Sequence, residues 1–376
     1  MRIPTFVSLI YCIENEQGHY LAYNQAIQQC VEQLGWHFRA WIRALADLRE
    51  MPPHWSKVLG HPVQRTGPFK RIHKLLDLIR SQRALLNRLR TETDGPVILF
   101  SDWFDTIHLI SITLVLLTSR IPGNLHFWAH FHRPIRGFAR VQRLLLTLLE
   151  WRLGKRCVQR LCISSALIEP LSEVLHSTVH VLPMPYREQW SAHAPIRKPR
   201  EARRILLWPG TPNTFKGLHE IRRLAMSTDA AAECYTLVGG DRSSIPEYGA
   251  MHIGEMGIGI TREEFVSWYE TADAVMLPYS ADVYAHMVSS IFIEAICAGC
   301  ITFVSAGTSM AHELRQAGLH GYVLDWSRSD AFMEIHRLLD DDRAHARFDQ
   351  LRKEYQAKFS VDGCTAVIQS LYEASA

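Results

Sequence analysis

Short apolar runs alternate along the chain with longer stretches of helical period. The runs stand at 5–13, 96–100, 125–130, 160–164 and 180–182 in the first half. In the second half they stand at 205–208, 234–238, 251–253, 274–277, 301–305 and 322–324. A run such as AVML at 274–277 is apolar at every position, as a parallel strand covered on both faces must be. Strands that alternate with helices predict βαβ units, and so an α/β chain with parallel sheets flanked by helices. Between the two arrays, residues 183–204 hold four prolines and many charges, the signature of a linker. The division expected is an N-terminal Rossmann-like domain over 1–185, a linker over 186–204, a C-terminal Rossmann-like domain over 205–357 and a last helical segment over 358–376. Two doubly wound sheets of this kind bind ligands at the carboxyl ends of their strands, here facing a cleft.

The loops that follow those strands carry the candidate chemistry. After the strand at 274–277, Pro278 and Tyr279 stop the run and a Ser-rich turn opens the next helix near Ser289 and Ser290. The first amides of a helix lack internal partners and favour an anion, so a phosphate fits there. Glu294, slightly further on, suits two vicinal hydroxyls. Phosphate and diol together point to a nucleotide or a sugar nucleotide. After the strand at 205–208, Gly210 permits a sharp turn and Lys216 precedes Gly217 at a helix start, where an ammonium can meet a diphosphate. Gly239 and Gly240 allow close backbone approach after the next strand. In the first half, Gly18 lies in the turn after strand 1, a second glycine phosphate loop in outline. No GxGxxG follows a strand, which argues against a nicotinamide dinucleotide fold.

Composition narrows the class. At 376 residues, with 47% hydrophobic and 21% charged residues, the chain is large enough for two full cores and shows no signature of disorder. Its eight cysteines form no compact framework, so free thiols in a cytoplasmic setting are expected. The formal charge of +3 hides an asymmetry: +9 over residues 1–195 against −6 over the remainder. Positive charge gathers between Arg133 and Arg160, where Glu150 is the single carboxylate. Residues 139–156 alternate Leu-rich and Arg-rich positions, as an amphipathic helix on an anionic membrane surface would. A core-facing helix with a solvated basic face has the same pattern. Aromatics are not interleaved with the basic residues, so no nucleic-acid partner is expected.

In this order the segments resemble GT-B glycosyltransferases, most closely the large retaining family 4 group. The resemblance rests on the strand FWAHFH with His130, the strand LCISS with Ser164, VLPMPY before the linker, the G-x5-K-G loop, the strand ending in Gly-Gly and ADAVMLPYS…EAICAG. It implies a two-domain α/β fold of Rossmann-like halves, with a final helix that crosses back to the first domain. It also implies transfer of a sugar from a nucleoside diphosphate sugar to an acceptor hydroxyl, with retention, of the kind used in cell-surface polysaccharide or glycolipid synthesis. The donor would sit on the second domain, with Lys216 on the diphosphate, Glu294 on the ribose and His286 on the sugar. His130 would approach the donor from the first domain. From their place at a strand end, Asp102 and Asp105 either hold hydroxyls of the carbohydrate or lipid-linked acceptor or cap the following helix, and His132 and Arg133 stand on the same acceptor side. No cofactor and no metal is implied, because an ammonium and a helix dipole replace the ion.

Two positions depart from the family pattern. Where the loop usually has Arg beside the first glycine, this chain has Thr211, so one of two cations is missing. Loss of a preorganised donor to a developing anion costs about 2.7–4 kcal/mol. Where the family pairs two glutamates eight residues apart, the first falls on His286. Both changes leave open a protein that binds a sugar nucleotide or a partner without turnover. His126, His130 and His132 share one strand face by period two. With no carboxylate near them in sequence, packed or ligand-facing histidines are expected there rather than a metal site.

Overall fold

The structure, a computed structural model, describes residues 2–14, 20–61, 67–135, 137–186, 203–257 and 260–375. The chain divides into two compact units, Met1–Arg187 with Lys358–Ala376, and Glu188–Ala357. The turn holding Gly18 and most of the linker, residues 187–202, lie outside the described residues.

The first unit is built on seven parallel strands: β1 (Thr5–Ile10), β2 (His37–Arg43), β3 (Trp55–Leu59), β4 (Val97–Asp102), β5 (Leu125–Phe131), β6 (Val158–Cys162) and β7 (His180–Val181). Their spatial order is β3-β2-β1-β4-β5-β6-β7, so the direction of winding reverses beside β1. The helices of this unit are α1 (Tyr20–Gln33), α2 (Lys70–Glu92), α3 (Thr106–Thr118), α4 (Ala139–Leu153) and α5 (Ile168–Leu175). Strands β1, β4 and β5 are buried at every residue, which is why their runs are so apolar. The sequence pattern did not disclose β2 and β3. In β2 the apolar positions alternate with Arg39 and Arg43, which pair with Glu92 and Glu14 outside the core. In β3, an edge strand, only Trp55 and Leu59 are buried.

The second unit has six parallel strands: β8 (Arg204–Trp208), β9 (Tyr235–Gly239), β10 (His252–Glu255), β11 (Ala274–Leu277), β12 (Ile301–Ser305) and β13 (Val323–Leu324). Their order is β10-β9-β8-β11-β12-β13, with the reversal at β8 and β11. Helices α6 (Leu218–Ala225), α7 (Arg262–Thr271), α8 (Ala281–Tyr284), α9 (Ser290–Cys297), α10 (Ser309–Gln316) and α11 (Ala331–Leu338) surround it. Helix α12 (Asp342–Phe359) leads out of this unit, and α13 (Val361–Ser375) returns the chain to the first. There α13 packs on α1: Gln33 donates to Asp362 at 3.2 Å, and Trp36 meets Tyr372 edge-on. All eight cysteines are free thiols. Among the described residues, no helix is long and apolar enough to cross a membrane.

One close approach joins the carboxyl ends of β8 and β11. Gly217 has φ +80° and lies so near Pro278 that a Cβ would sit 2.2 Å from the Pro278 carbonyl oxygen. Phe215 O accepts from the Ser280 amide at 3.0 Å beside it. Both the left-handed backbone and the overlap penalise a side chain. Gly217→Ala is therefore expected to lower unfolding free energy by about 2–4 kcal/mol, read as a reduced midpoint in urea at unchanged slope.

Candidate functional site

The second unit gathers its candidate residues at the carboxyl edge of β8, β9 and β11. Gly210 follows β8 with φ +92°, and a Cβ there would meet Lys216 Nζ at 2.9 Å and Ile291 Cδ1 at 3.3 Å. The Lys216 ammonium is thus held over Gly210 beside the first turn of α9. Gly240, after β9, completes the cradle: its absent Cβ would lie 2.4 Å from Gly210 O. Gly239, the last residue of β9, is packed against Ile245 and Trp208 in the same way. Asn213 accepts from the Lys216 amide at 2.9 Å and Trp208 Nε1 donates to Lys216 O at 2.9 Å, so the loop is tied at both faces. Lys216 is largely buried, and burial pushes its pKa down. Among the described residues, no carboxylate lies within ion-pair distance of it. Thr211 is exposed on the same loop.

Ser289 caps α9, accepting from the Phe292 amide at 3.2 Å, and is itself buried. Its hydroxyl therefore orders the helix start. The amides of Ser290 and Ile291, which begin the helix, are the groups that face outward from it. Glu294 is buried, with Arg262 Nη2 at 3.1 Å from Oε1 and the Tyr269 hydroxyl donating to Oε2 at 3.4 Å. Sequence reasoning missed Arg262, because it stands on α7, 32 positions before its partner, with no motif to connect them. His286 is exposed in the bend between α8 and α9.

In the first unit, parallel register sets Asp102 directly beside His130 at the ends of β4 and β5. Asp102 Oδ1 lies 2.6 Å from His132 Nε2 and 3.1 Å from His130 Nδ1. His130 Nε2 donates to Leu182 O at 3.1 Å, and the Tyr23 hydroxyl is 3.3 Å from Nδ1. Asp102 and His130 are fully buried, so neither presents a polar atom to solvent. Asp102 Oδ1 and His130 Nδ1 thus face each other inside the unit, so the structure does not display His130 turned outward to a donor or Asp102 turned outward to acceptor hydroxyls. The carboxylate that the histidine strand lacks in sequence arrives from the neighbouring strand. Burial would raise the Asp102 pKa, but the two imidazoles overcome it and hold the carboxyl well below its usual range. His126 sits apart, buried against Tyr372.

Asp105 has a different task. It caps α3 in a capping box, accepting from the His108 amide at 3.1 Å while its own amide donates to His108 Nδ1 at 3.1 Å. Burial opposes ionisation of Asp105, yet His108 and Lys74 hold its carboxyl low. Arg133 is exposed on the loop after β5. Trp103, unremarked in sequence, takes φ +49° immediately after Asp102 and lays its ring on His132 with centroids 4.2 Å apart.

No family model and no curated protein sequence matches this chain. Solved structures match it over its whole length. Sucrose-phosphate synthase from Thermosynechococcus elongatus has TM-score 0.66 at 17% identity, over 99% of this chain and 98% of that one. A glycosyltransferase from Rickettsia africae has TM-score 0.65 at 12% identity, over 99% and 98%. Anabaena HepE, in complex with UDP-glucose, has TM-score 0.60 at 10% identity, over 98% and 99%. The fold is GT-B. The α/β class and the pair of parallel sheets agree with the sequence reading of the GT-B type. At such identities the likeness carries the fold and leaves the chemistry to the residues.

Two outcomes follow from these environments. Asp105→Ala is expected to cost about 1 kcal/mol of unfolding free energy at neutral pH. That difference should shrink in acid, since a carboxyl with a lowered folded pKa stabilises above the unfolded carboxylate range and loses this as pH falls. Lys216→Met removes a desolvated cation, so the empty protein is expected to melt higher than the wild type at neutral pH. Because the folded pKa of Lys216 is the lower one, this gain is present at neutral pH and fades as pH rises through the unfolded lysine range.

Proposed function

We propose that the protein is a glycosyltransferase that moves a sugar from a nucleoside diphosphate sugar to an acceptor hydroxyl. The observation that carries this reading is the Lys216 ammonium, partly desolvated, set over the Gly210–Gly240 backbone cradle at the start of α9. Such a site suits a diphosphate: the glycines admit the backbone, the helix amides meet the oxygens and the ammonium supplies charge. Glycosyl transfer passes through an oxocarbenium-like state, so stabilising the departing diphosphate is the main demand. In this reading Lys216 and the Ser290 and Ile291 amides meet that demand without a metal on the diphosphate. Glu294, buried between Arg262 and Tyr269, receives the ribose hydroxyls, and exposed His286 takes the sugar. Gly18 is left for the donor on sequence grounds alone. His132 and Arg133, at the carboxyl edge of β5, mark the side for a carbohydrate or lipid-linked acceptor. Retention of configuration comes with the family resemblance.

The fold neighbours support the ligand class. Anabaena HepE holds UDP-glucose, and an Escherichia coli protein of TM-score 0.62 and 12% identity, over 99% of each chain, is bound with UDP-2-fluoro glucose. A second reading, binding of a sugar nucleotide without turnover, is favoured by Thr211, which leaves Lys216 as the sole cation of the loop. Release of nucleoside diphosphate, measured across a donor panel with and without sugar acceptors, separates the two. Sustained turnover with at least one donor is expected. Lys216→Ala should weaken nucleoside diphosphate binding by about 10- to 100-fold, the loss of one charge-assisted contact. Stoichiometric binding with no turnover for any donor would leave only the second reading.

The first unit also fits attachment to an anionic membrane surface, as in polysaccharide or glycolipid synthesis at the inner face of a membrane. Helix α4 buries Gln142, Leu146 and Leu149. It leaves Phe138, just before it, and Leu144 and Trp151 exposed at 73%, 58% and 79%. Arg140 and Arg156 are exposed around them. On α2, Ile72 and Leu76 are also exposed. Apolar and basic side chains on one helix are what headgroups and acyl boundaries select. Arg152 is excluded from this face, since it donates to Leu116 O and Ser119 O at the end of α3. In flotation with phosphatidylserine-containing vesicles, Arg140→Glu with Arg156→Glu and Trp151→Ser is expected to abolish binding. Equal flotation of variant and wild type would refute the surface.

A further inference from the structure

Asp102, His130 and His132 form a triangle of donor atoms from two adjacent strand ends, with no role in the donor site above. Asp102 Oδ1, His130 Nδ1 and His132 Nε2 are 2.6, 3.1 and 3.1 Å apart. Each of the three residues offers one ligand atom, these atoms lie within 4.8 Å of one another, and all three residues are buried. His130 Nε2 donates to the Leu182 carbonyl at 3.1 Å, which leaves Nδ1 as the ring nitrogen turned toward the other two residues. Nδ1 lies 3.1 Å from the Asp102 carboxylate. Tyr23 can donate to Nδ1 at 3.3 Å, but this does nothing for the carboxylate. The second oxygen, Asp102 Oδ2, is shielded from solvent with no hydrogen-bond partner among the described residues. No Lys or Arg among the described residues forms an ion pair with Asp102. Two buried imidazoles and a buried carboxylate that converge at these distances have the composition of a metal-ligand set.

We propose that this triangle binds one divalent transition-metal ion. Two imidazoles and a carboxylate select zinc, iron, cobalt or manganese over magnesium or calcium, which take oxygen ligands. Ligand atoms about 2.1 Å from a metal at right angles to one another stand about 3 Å apart, close to the spacings here. The hydrogen bond from His130 to Leu182 O is the outer-shell contact that fixes a metal-binding histidine's tautomer. Three protein ligands leave positions open for water. The site belongs wholly to the first unit, so it stands or falls apart from the sugar-nucleotide reading.

The test uses the full chain stripped by chelator, then titrated with Co2+ and, separately, Zn2+. One equivalent of Co2+ should give visible d–d bands that Zn2+ displaces, and Zn2+ should raise the melting temperature of the stripped protein. His132→Ala should weaken Zn2+ binding by about 100-fold or more, since even outer-shell losses cost 10- to 100-fold. His126→Ala, outside the triangle, should leave binding unchanged. Should His132→Ala not fold, the wild-type cobalt spectrum and melting shift still decide. Absence of both in the wild type would overturn the proposal, as would Zn2+ binding indifferent to His132→Ala. So would ring-nitrogen NMR showing His130 and His132 each doubly protonated after Zn2+ is added, for then a proton fills the place assigned to the ion.

Discussion

Backbone meeting backbone is the constraint on which the second unit's chemistry depends. Gly217 lies on Pro278 and Gly240 lies on Gly210, at separations that no side chain tolerates. These contacts, made where β8, β9 and β11 end, leave Lys216 little freedom: its amide is held by Asn213, its carbonyl by Trp208, and its ammonium comes to rest over Gly210. A flexible lysine on an open loop would lose rotamer entropy on meeting an anion. Here most of that loss has already occurred on folding, and the charge is already partly desolvated. The protein carries that cost in its empty state, as sites built for tight anion binding do.

The first unit reaches a buried charge by another route. Parallel pairing with aligned register sets Asp102 beside His130, and period-two alternation brings His132 to the same face. Neither residue was placed there by a local motif. The sheet supplies the juxtaposition and the helix packing around it supplies the low dielectric. In such surroundings a carboxylate stays ionised only when positive charge or donors face it. The arrangement at the strand ends is accordingly inward-facing, whereas the second unit turns its cation toward its open edge.

What the sequence disclosed follows the same physics. Strands buried on both faces, such as those at 97–102 and 274–277, announced themselves because burial demands unbroken apolar runs. Strands β2 and β3 stayed hidden because Arg39, Arg43 and Lys57 point away from the core and break the pattern. The glycines and Lys216 were legible because left-handed turns and helix starts have local signatures. Arg262 at Glu294 and Asp102 at His132 were not, since each joins elements 30 or more positions apart, and only the fold closes that distance. Asp105 read equally as a binding carboxylate or a helix cap because the two share one spelling; His108, three positions on, completes a capping box with it.

The Glu294 environment sharpens what the missing cation at Thr211 means. A buried carboxylate paired with Arg262 and Tyr269 is already compensated, so a diol that enters must replace one of those contacts or bridge them. Replacing a charge-assisted contact by two hydroxyl donors gains little net free energy. Bridging gains more, because Arg262 stays as a donor to the ligand's own oxygens. In the proposed reading Arg262 would then add a donor to a site that lacks an arginine beside Gly210. In that reading the second unit's own α7 would supply a cation, already oriented by the glutamate it holds.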